Sequence, residues 1–423
     1  MINLEKVRKN IILKDGIYYF DWTASGLGYK EIEDEILRVL MTYSNTHSEC
    51  GTCARVTTNY YESARSGIKK LLELGDDFYL MPCSFGSTAA IKKFQEIMGI
   101  YIPPATRAVL GNLNIDKRKF PLVIVSPYEH HSNEISFRYG LCEVFRVPLA
   151  KDGGIHFGEM ERVLKLNRGR KIIASFSAAS NVTGIKTDLY NLNKMIRDYG
   201  GIIALDLSSL AAYENVNSDF FDAAFISSHK LLGGVGGSGL LAIRKELCTG
   251  DKPTFAGGGT VTYVSRKSAK FVENKEALED AGTPGITQLV RSFLAFKLRN
   301  DIGLETIREI EKANLEYFED NLMRIKNLIC YGSKNCDRLP IFSFNIKGIS
   351  PYELAKVLSD KFSVQTRAGC ACAGPYGHEL LGLEDDADFA QKPGFVRVSL
   401  HYTQTKDDLD YLLSAIKEAI KFF

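Results

Sequence analysis

The sequence predicts an α/β protein, with a large domain built on a mostly parallel seven-stranded sheet and a smaller α+β C-terminal domain. Two observations lead to this prediction. Between residues 77 and 243, short apolar runs alternate with longer amphipathic segments, and the runs are apolar on both faces, as buried parallel strands require. After about residue 285, long helical segments replace this alternation. We therefore place the large domain at 20–285 and the smaller domain at 1–19 and 286–423.

Seven apolar runs are predicted as the strands of the large sheet. In chain order they are DFYLM (77–81), LVIV (122–125), CEVFRV (142–147), KIIASF (171–176), GIIALDL (201–207), DAAFIS (222–227) and GLLAI (239–243). Amphipathic helices are predicted among them, at 61–74, 87–98, 158–166 and 189–200. Because strands and helices alternate, the connections are expected to be right-handed crossovers.

The smaller domain has its own set of predicted elements. They are a long helical stretch at 287–325, a strand at 339–346, a helix at 351–361, strands at 363–367 and 395–400, and a helix at 405–421. The first 20 residues are also expected to join this domain.

The balance of charges and cysteines excludes several classes of protein. With 53 basic and 51 acidic residues among 423, the net charge of +2 leaves no basic excess for a nucleic-acid surface. Nine cysteines are too few for a disulfide scaffold and indicate reduced thiols. Charges interrupt the N-terminal apolar residues, and the longest apolar stretch, at 231–243, is too short to span a bilayer. A cytoplasmic protein without a membrane partner is expected.

Two residues near strand ends indicate a site for pyridoxal 5'-phosphate (PLP). Lys230 follows the strand at 222–227, where a desolvated lysine can form a Schiff base, although a solvated loop lysine fits the same pattern. Asp206 lies at the end of the strand at 201–207 and is expected at the same sheet edge. A buried carboxylate needs a cation, and the protonated pyridine nitrogen of PLP is one. An aspartate that caps the next loop is the alternative.

Segments after two other strands fit a phosphate and a flat ring. Ser87 and Thr88 open a helix whose N–H groups and dipole favour an anion, although an ordinary helix cap explains the same residues. His130 and His131 follow the strand at 122–125, and adjacent residues point to opposite faces, so they chelate a metal poorly. An imidazole that stacks on an aromatic cofactor and transfers protons is the functional interpretation, and a structural histidine is the alternative.

The smaller domain contributes a loop of small residues with two cysteines. Cys370 and Cys372 lie in the segment RAGCACAGP, where an exposed thiol with a lowered pKa can act as a nucleophile. One alternative is a zinc site shared with Cys50 and Cys53, although Cys-x-Cys is a poor spacing for structural zinc; another is that both are small buried residues. Arg397, in the last predicted strand, could hold a substrate carboxylate with two hydrogen bonds.

In this order, the segments resemble the class V aminotransferase family of fold-type I PLP enzymes, above all its cysteine desulfurase and selenocysteine lyase branch. The matches extend through nearly the whole chain. They are YFDWTASG (19–26), NTHSE (45–49), GST (86–88), EHHSN (129–133), SNVTG (180–184), the Asp206 strand, SSHK (227–230), GGGT (257–260), AGTPG (281–285), RAGCACAGP (367–375) and VRVSL (396–400).

The resemblance implies a role for each of the residues that match. Lys230 would hold PLP as a Schiff base, with Asp206 on the pyridine nitrogen and His130 stacked on the ring and moving protons. The other implied contacts are Ser87, Thr88, Ser227 and His229 at the phosphate, Asn181 and Ser209 near the phenolic oxygen, and Asn181 and Arg397 at the substrate carboxylate. Thr260 would reach the phosphate of a neighbouring subunit, which implies a homodimer with shared active sites.

The resemblance places Cys372 where desulfurases carry their nucleophilic cysteine. The leading hypothesis is therefore an enzyme that converts L-cysteine to L-alanine and keeps the sulfur as a persulfide, with a sulfur-acceptor protein as partner. The sequence departs from the family at Cys370, where the usual histidine-rich loop has no thiol, and at Ser209, where a glutamine is usual. These departures leave open another PLP reaction of an amino acid, such as a C–S lyase, an epimerase or a specialised biosynthetic enzyme. A non-catalytic interaction protein is the third hypothesis.

Overall fold

The N-terminal segment of the computed structural model combines short strands with two long helices. The structure describes residues 3–46, 50–84, 86–111, 116–332, 336–384 and 392–423. The first elements are α1 (Leu4–Lys9), β1 (Ile11–Ile12), β2 (Tyr18–Tyr19), β3 (Gly28–Tyr29), α2 (Lys30–Met41) and α3 (Thr52–Leu71). Residues 47–49 of the predicted motif NTHSE lie outside the described residues.

Strands and helices alternate through the large domain, as the apolar pattern predicts. The elements are β4 (Phe78–Cys83), α4 (Gly86–Ile97), α5 (Pro104–Leu110), β5 (Leu122–Val125), α6 (His131–Arg138), β6 (Glu143–Arg146), α7 (Phe157–Leu166), β7 (Ile172–Ser177), α8 (Leu189–Asp198), β8 (Ile202–Asp206), β9 (Ala223–Ser227), β10 (Gly239–Arg244), β11 (Val261–Val264), β12 (Ala269–Phe271) and α9 (Lys275–Leu278). Each of the seven predicted strands is present, with bounds that differ by a few residues at most.

These seven strands, β4 to β10, form one sheet within the described residues, in the order β4–β10–β9–β8–β7–β5–β6. The five strands β9, β8, β7, β5 and β6 run parallel to one another, whereas β10 is antiparallel to both β4 and β9. All residues of β5, β7 and β9 are buried, because helices cover both faces of the sheet. The prediction of a mostly parallel seven-stranded sheet in an α/β fold is therefore confirmed.

The C-terminal part of the chain forms a second, antiparallel sheet with helices. Its elements are α10 (Ile286–Ile302), α11 (Leu304–Leu322), β13 (Leu328–Tyr331), β14 (Ile341–Ile346), α12 (Pro351–Phe362), β15 (Val364–Gln365), β16 (Arg367–Gly369), α13 (Gly374–Leu381), β17 (Phe395–Ser399) and α14 (Lys406–Ala419). In the described part of the chain the sheet order is β13–β14–β17–β16. The helical stretch predicted over 287–325 is divided at Gly303, whose φ of 99° suits a glycine and ends α10.

The N-terminal residues contact both parts of the molecule. β2 pairs in parallel with β15, and Phe20 is buried in the core under the C-terminal sheet. Val7 and Trp22 instead pack into the core of the large domain. The N-terminal residues therefore do not assign themselves to one part alone, and the predicted domain boundaries stay a prediction.

Candidate active site

A cavity of about 200 Å³ lies where β5, β7, β8 and β9 end and where the C-terminal sheet meets them. Parallel strands bring their carboxyl ends to one edge, which is where open α/β sheets bind ligands. Most of the predicted site residues line this cavity: Ser87, Thr88, His130, Asn181, Asp206, Ser209, Ser227, His229, Lys230, Cys372 and Arg397. Thr260 is not among the lining residues. It is buried, its hydroxyl donates to Gly257 O at 2.8 Å, and its contact with a second subunit stays a prediction.

Lys230 reaches the cavity from a short turn, Ser228–Lys230, that directly follows β9. Burial lowers the pKa of Lys230 to about 8; repulsion from Arg397 adds to the shift, and the Asp206 carboxylate opposes it. A substantial fraction of the amine is therefore neutral near physiological pH. Because only a neutral amine attacks a carbonyl carbon, Lys230 meets the requirement for a Schiff-base lysine.

Asp206 contributes a buried carboxylate to the lining of the cavity. It is the last residue of β8 and is buried, and its Oδ1 accepts a hydrogen bond from Ser208 N–H at 2.9 Å. Ser208 Oγ lies 3.1 Å from Ser227 Oγ, so the ends of β8 and β9 are joined by side chains as well as by the ladder. Ser209 lines the same cavity with a hydroxyl that is shorter than the glutamine amide of the family pattern.

The start of α4 forms a cradle for an anion. Gly86 has a φ of 56°, and a Cβ there would lie 3.1 Å from Ser227 Oγ and 3.4 Å from His229 Nε2. Ser87 N–H donates to Ser227 Oγ at 2.9 Å, which holds the helix start against the end of β9. Burial, followed by repulsion from Lys230, lowers the pKa of His229 to about 4. Backbone N–H groups at a helix start attract phosphate, and a glycine leaves room for it.

His130 is the N-cap of α6, and its ring lines the cavity. Its Nδ1 accepts from Ser132 N–H at 3.1 Å, so the neutral ring carries its proton on Nε2. Burial lowers the pKa of His130 to about 4, and the charge of Lys230 acts in the same direction. A neutral imidazole is a flat partner for an aromatic ring, and its Nε2–H can donate a hydrogen bond.

Glu129, which sequence reasoning did not single out, organises the turn that carries His130. Its carboxylate accepts from Asn133 Nδ2 at 2.8 Å and from the N–H and hydroxyl of Ser177, each at 2.7 Å. Burial raises the pKa of Glu129 to about 7, and these hydrogen bonds oppose the shift. The residue therefore ties the loop after β5 to the end of β7. Its place beside His130 in EHHSN is the signal that could have identified it.

Asp21 was also not predicted, and it holds Arg397, the arginine that the sequence predicts as a carboxylate-binding residue. Its Oδ1 accepts from Arg397 Nη2 at 2.6 Å, and its Oδ2 accepts from Arg367 Nε at 3.0 Å. Arg397 Nη1 donates to Asn181 O at 3.0 Å, while its buried Nε has no hydrogen-bond partner among the described residues. The guanidinium is thus fixed in orientation by these two bonds and keeps N–H groups that they do not use. Asp21 lies in the motif YFDWTASG, but nothing in that motif indicates a contact 376 residues away.

The two loop cysteines have different surroundings. Cys372 is exposed and lines the cavity. Cys370 is not among the lining residues, and its Sγ–H donates to Pro393 O at 2.9 Å. Burial raises the pKa of the Cys370 thiol, which makes it a poor nucleophile. Within the described ranges no group of three or more His, Cys, Asp or Glu side chains could hold a metal, so the zinc alternative finds no site there.

The loop that carries Cys372 has an unusual backbone. Ala371 and Cys372 have φ values of 49° and 58°, a left-handed conformation that costs about 1–2 kcal/mol for each residue other than glycine. Asn181 Nδ2 donates to Ala371 O at 2.6 Å, and His131 N–H donates to Cys372 O at 2.8 Å. Contacts from the large domain therefore hold the loop in this conformation over the cavity.

The residues of the cavity fit PLP. Gly86 has no Cβ, which leaves room for a phosphate at the start of α4. Lys230 offers a partly neutral amine, and Asp206 offers a buried carboxylate on the neighbouring strand. Arg397 presents an unpartnered buried N–H for a substrate carboxylate. Fold and site together thus define a PLP-dependent enzyme of the fold-type I class.

Comparison with known proteins identifies the family. Residues 104–412 match the family model for aminotransferase class-V, and the chain belongs to this family. A Pyrococcus abyssi protein named probable cysteine desulfurase is 26% identical over 99% of this chain and 98% of its own length. A Staphylococcus epidermidis protein of the same name is 27% identical over 96% of this chain and 92% of its own length.

Solved structures show the same fold. The apo cysteine desulfurase from Thermococcus onnurineus superposes with a TM-score of 0.83 at 24% identity, covering 100% of this chain and 99% of that chain. The cysteine desulfurase CsdA from Escherichia coli superposes with a TM-score of 0.80 at 23% identity, over 100% of both chains. In the described ranges, none of the helices combines the length and apolar character needed to cross a membrane.

Proposed function

We propose that this protein is a PLP-dependent cysteine desulfurase that converts L-cysteine to L-alanine and keeps the sulfur as a persulfide on Cys372. The observation that carries the proposal is that Cys372 lines the same cavity as Lys230 and Asp206. The full-length relatives named probable cysteine desulfurase support it. In the overall step the C–S bond of cysteine breaks and an S–S bond forms, and the thiol proton and the electron pair of the broken bond go to the β-carbon of alanine.

The arginine and asparagine of the cavity bind the substrate. Arg397 and Asn181 line the cavity, and their bonds to Asp21 Oδ1, Asn181 O and Ala371 O fix the orientation of the guanidinium and the amide. The N–H groups that these bonds leave unused are the donors for the carboxylate of the amino acid. Charge-assisted hydrogen bonds of this kind are about twice as strong as neutral ones. They orient the α-carbon of the substrate toward Lys230.

The remaining side chains move protons and sulfur. When bound, PLP supplies an electron sink that weakens the bonds at the α- and β-carbons of the amino acid. Lys230 Nζ removes the α-proton, and the neutral His130 ring donates a hydrogen bond from Nε2–H. The thiolate of Cys372 attacks the sulfur of the substrate, with the positive charges of Arg367 and Arg397 nearby.

Mass spectrometry of the PLP-loaded, full-length chain after incubation with L-cysteine tests the proposal. We expect one added sulfur atom on the peptide with Cys372, released by a reductant, together with stoichiometric alanine. Cys372→Ala should abolish the added sulfur, and Cys370→Ala should retain it because Cys370 bonds Pro393 outside the cavity. Unchanged sulfide release from cysteine by Cys372→Ala would refute the thiol mechanism.

A different PLP reaction of an amino acid is the second candidate. Ser209 favours it, since a serine lacks the amide that the family uses near the phenolic oxygen. Turnover of a panel of amino acids by the PLP-loaded protein separates the candidates. Rapid conversion of a non-cysteine amino acid, with none of cysteine, would replace the desulfurase proposal with a lyase or an epimerase.

We further infer that the protein works as a homodimer in the cytoplasm and passes its sulfur to an acceptor protein. Nine cysteines in 423 residues are too few for a disulfide scaffold, which suits a reducing compartment. The hairpin of β11 and β12 follows Thr260 and exposes Tyr263 and Val264, which a second subunit would cover. Light scattering should give twice the mass of the chain, and Thr260→Ala should weaken PLP binding; a monomer with full PLP affinity would contradict this inference.

A further inference from the structure

The histidine beside the cavity histidine holds the cysteine loop through two hydrogen bonds. Gly374 N–H donates to His131 Nε2 at 2.7 Å, and His131 N–H donates to Cys372 O at 2.8 Å. A Cβ on Gly374 would lie 3.0 Å from His131 Nε2, so the loop packs directly against the imidazole. One residue of the large domain therefore fixes the loop at Cys372 and again two residues later.

The conformation of the loop explains why such contacts are needed. Ala371 and Cys372 both have left-handed backbones, which residues with a Cβ disfavour. Without external hydrogen bonds these residues would return to negative φ, and the Cys372 side chain would turn away from its present position. The hydrogen bonds from His131 and Asn181 offset this tendency.

We propose that His131 is a positioning residue that keeps Cys372 over the cavity, with its imidazole Nε2 as the hydrogen-bond acceptor for Gly374. The inference rests on the proposed function of Cys372. The His130 ring lines the cavity, whereas the His131 ring accepts a hydrogen bond from the loop, and the centres of the two rings are 6.3 Å apart.

A pair of substitutions separates the acceptor role from the bulk of the side chain. His131→Leu fills a similar volume without an acceptor, whereas the side-chain oxygen of His131→Gln can still accept from Gly374 N–H. Gly374→Ala perturbs the same contact from the side of the loop, because its Cβ would crowd His131 Nε2. His156→Leu is the matched control, since His156 also accepts a backbone N–H at a helix start, that of Glu159 in α7.

Loop docking is measured on the full-length protein independently of turnover. We expect His131→Leu and Gly374→Ala to increase deuterium exchange in the peptide with residues 370–376 by about five- to tenfold, the effect of losing one hydrogen bond. His131→Gln and the His156→Leu control should stay within about twofold of the parent. Unchanged exchange in His131→Leu would overturn the proposal, as would an equal increase in His131→Gln.

Kinetics of the PLP-loaded variants connect the docking to sulfur transfer. His131→Leu should lower kcat for alanine formation about tenfold, with KM for cysteine nearly unchanged, because Arg397 and Asn181 still bind the carboxylate. His131→Gln should restore most of kcat. If His131→Leu frees the loop but the parent itself never gains sulfur on Cys372, the proposed function fails while the docking contact stands. Normal kcat with a freed loop would refute the positioning role itself.

Discussion

The replacement of Asp21 by asparagine should weaken both the fold and the binding of the substrate. The carboxylate accepts a hydrogen bond from buried Arg397 at 2.6 Å, and charge-assisted bonds of this type contribute about 1.5–3 kcal/mol. The pair with Arg367 adds little, about 0.5 kcal/mol, because 43% of the Arg367 side chain is exposed. Asparagine keeps one oxygen acceptor but removes the negative charge, so we expect a loss of about 2–3 kcal/mol in the free energy of unfolding.

Two assays with one matched control test this expectation. Denaturant unfolding of the apoprotein measures the stability loss, and steady-state kinetics of the PLP-loaded enzyme measures KM for cysteine. KM should rise about tenfold, since Arg397 loses the partner that orients its free N–H toward the carboxylate. The control is Asp222→Asn, because Asp222 is also buried and also bridges two arginines, Arg197 and Arg244, at the opposite end of β9.

The two variants distinguish a role in binding from a role in folding. Asp222→Asn should lose comparable stability and leave KM unchanged, because it lies at the start of β9 and the cavity lies at its end. A KM for Asp21→Asn equal to that of the parent would refute the claim that Asp21 positions Arg397. A stability loss below about 0.5 kcal/mol would refute the estimate of the buried pair itself.

Three more outcomes follow from the geometry of the cavity. The rate of PLP uptake by the apoprotein should rise with pH through a midpoint at about 8, as the Lys230 amine becomes neutral; a rate that is flat between about pH 7 and 9 would contradict this. Burial raises the pKa of Glu129 to about 7, so the folded state holds that proton more tightly than the unfolded state does. Its stabilising contribution is complete at low pH and is lost as pH rises through about 7, and Glu129→Gln should flatten this part of the stability curve. Gly86→Ala should raise the Kd for PLP about tenfold in an absorbance titration, because the alanine would have a left-handed backbone and a Cβ close to Ser227 Oγ. The control is Gly16→Ala, which also has a left-handed backbone but open space around it and should leave the Kd unchanged.

Most of the fold could be predicted from periodicity alone. The seven apolar runs are the seven strands of the large sheet, because a buried parallel strand has to be apolar on both faces and therefore appears as a continuous run. The segment at 363–367 was harder to predict. It was expected to be one strand, whereas it forms β15, which pairs with β2, and β16, which pairs with β17. Short edge strands depend on distant partners, which a local pattern does not show.

The site was predictable where chemistry follows directly after a strand. Lys230 and Asp206 follow or end neighbouring strands, and parallel topology brings such positions to one edge. The pairing of Asp21 with Arg367 could not be predicted, because the two residues are 346 positions apart in the sequence and meet only in the folded chain. Glu129 escaped prediction for a related reason: its hydrogen-bond partner Ser177 belongs to another strand.

The sequence by itself determined the α/β fold and indicated the candidate cofactor residues, since apolar periodicity and residues at strand ends are local properties of the chain. The loop composition did not distinguish its two cysteines, and Cys372 was favoured only through the resemblance to the family. The tertiary structure gives the two thiols different surroundings: Cys372 lines the cavity, while Cys370 bonds Pro393. The physical reason is that left-handed residues and hydrogen bonds from His131 and Asn181 set the direction of each side chain, and these contacts exist only after the two parts of the molecule meet.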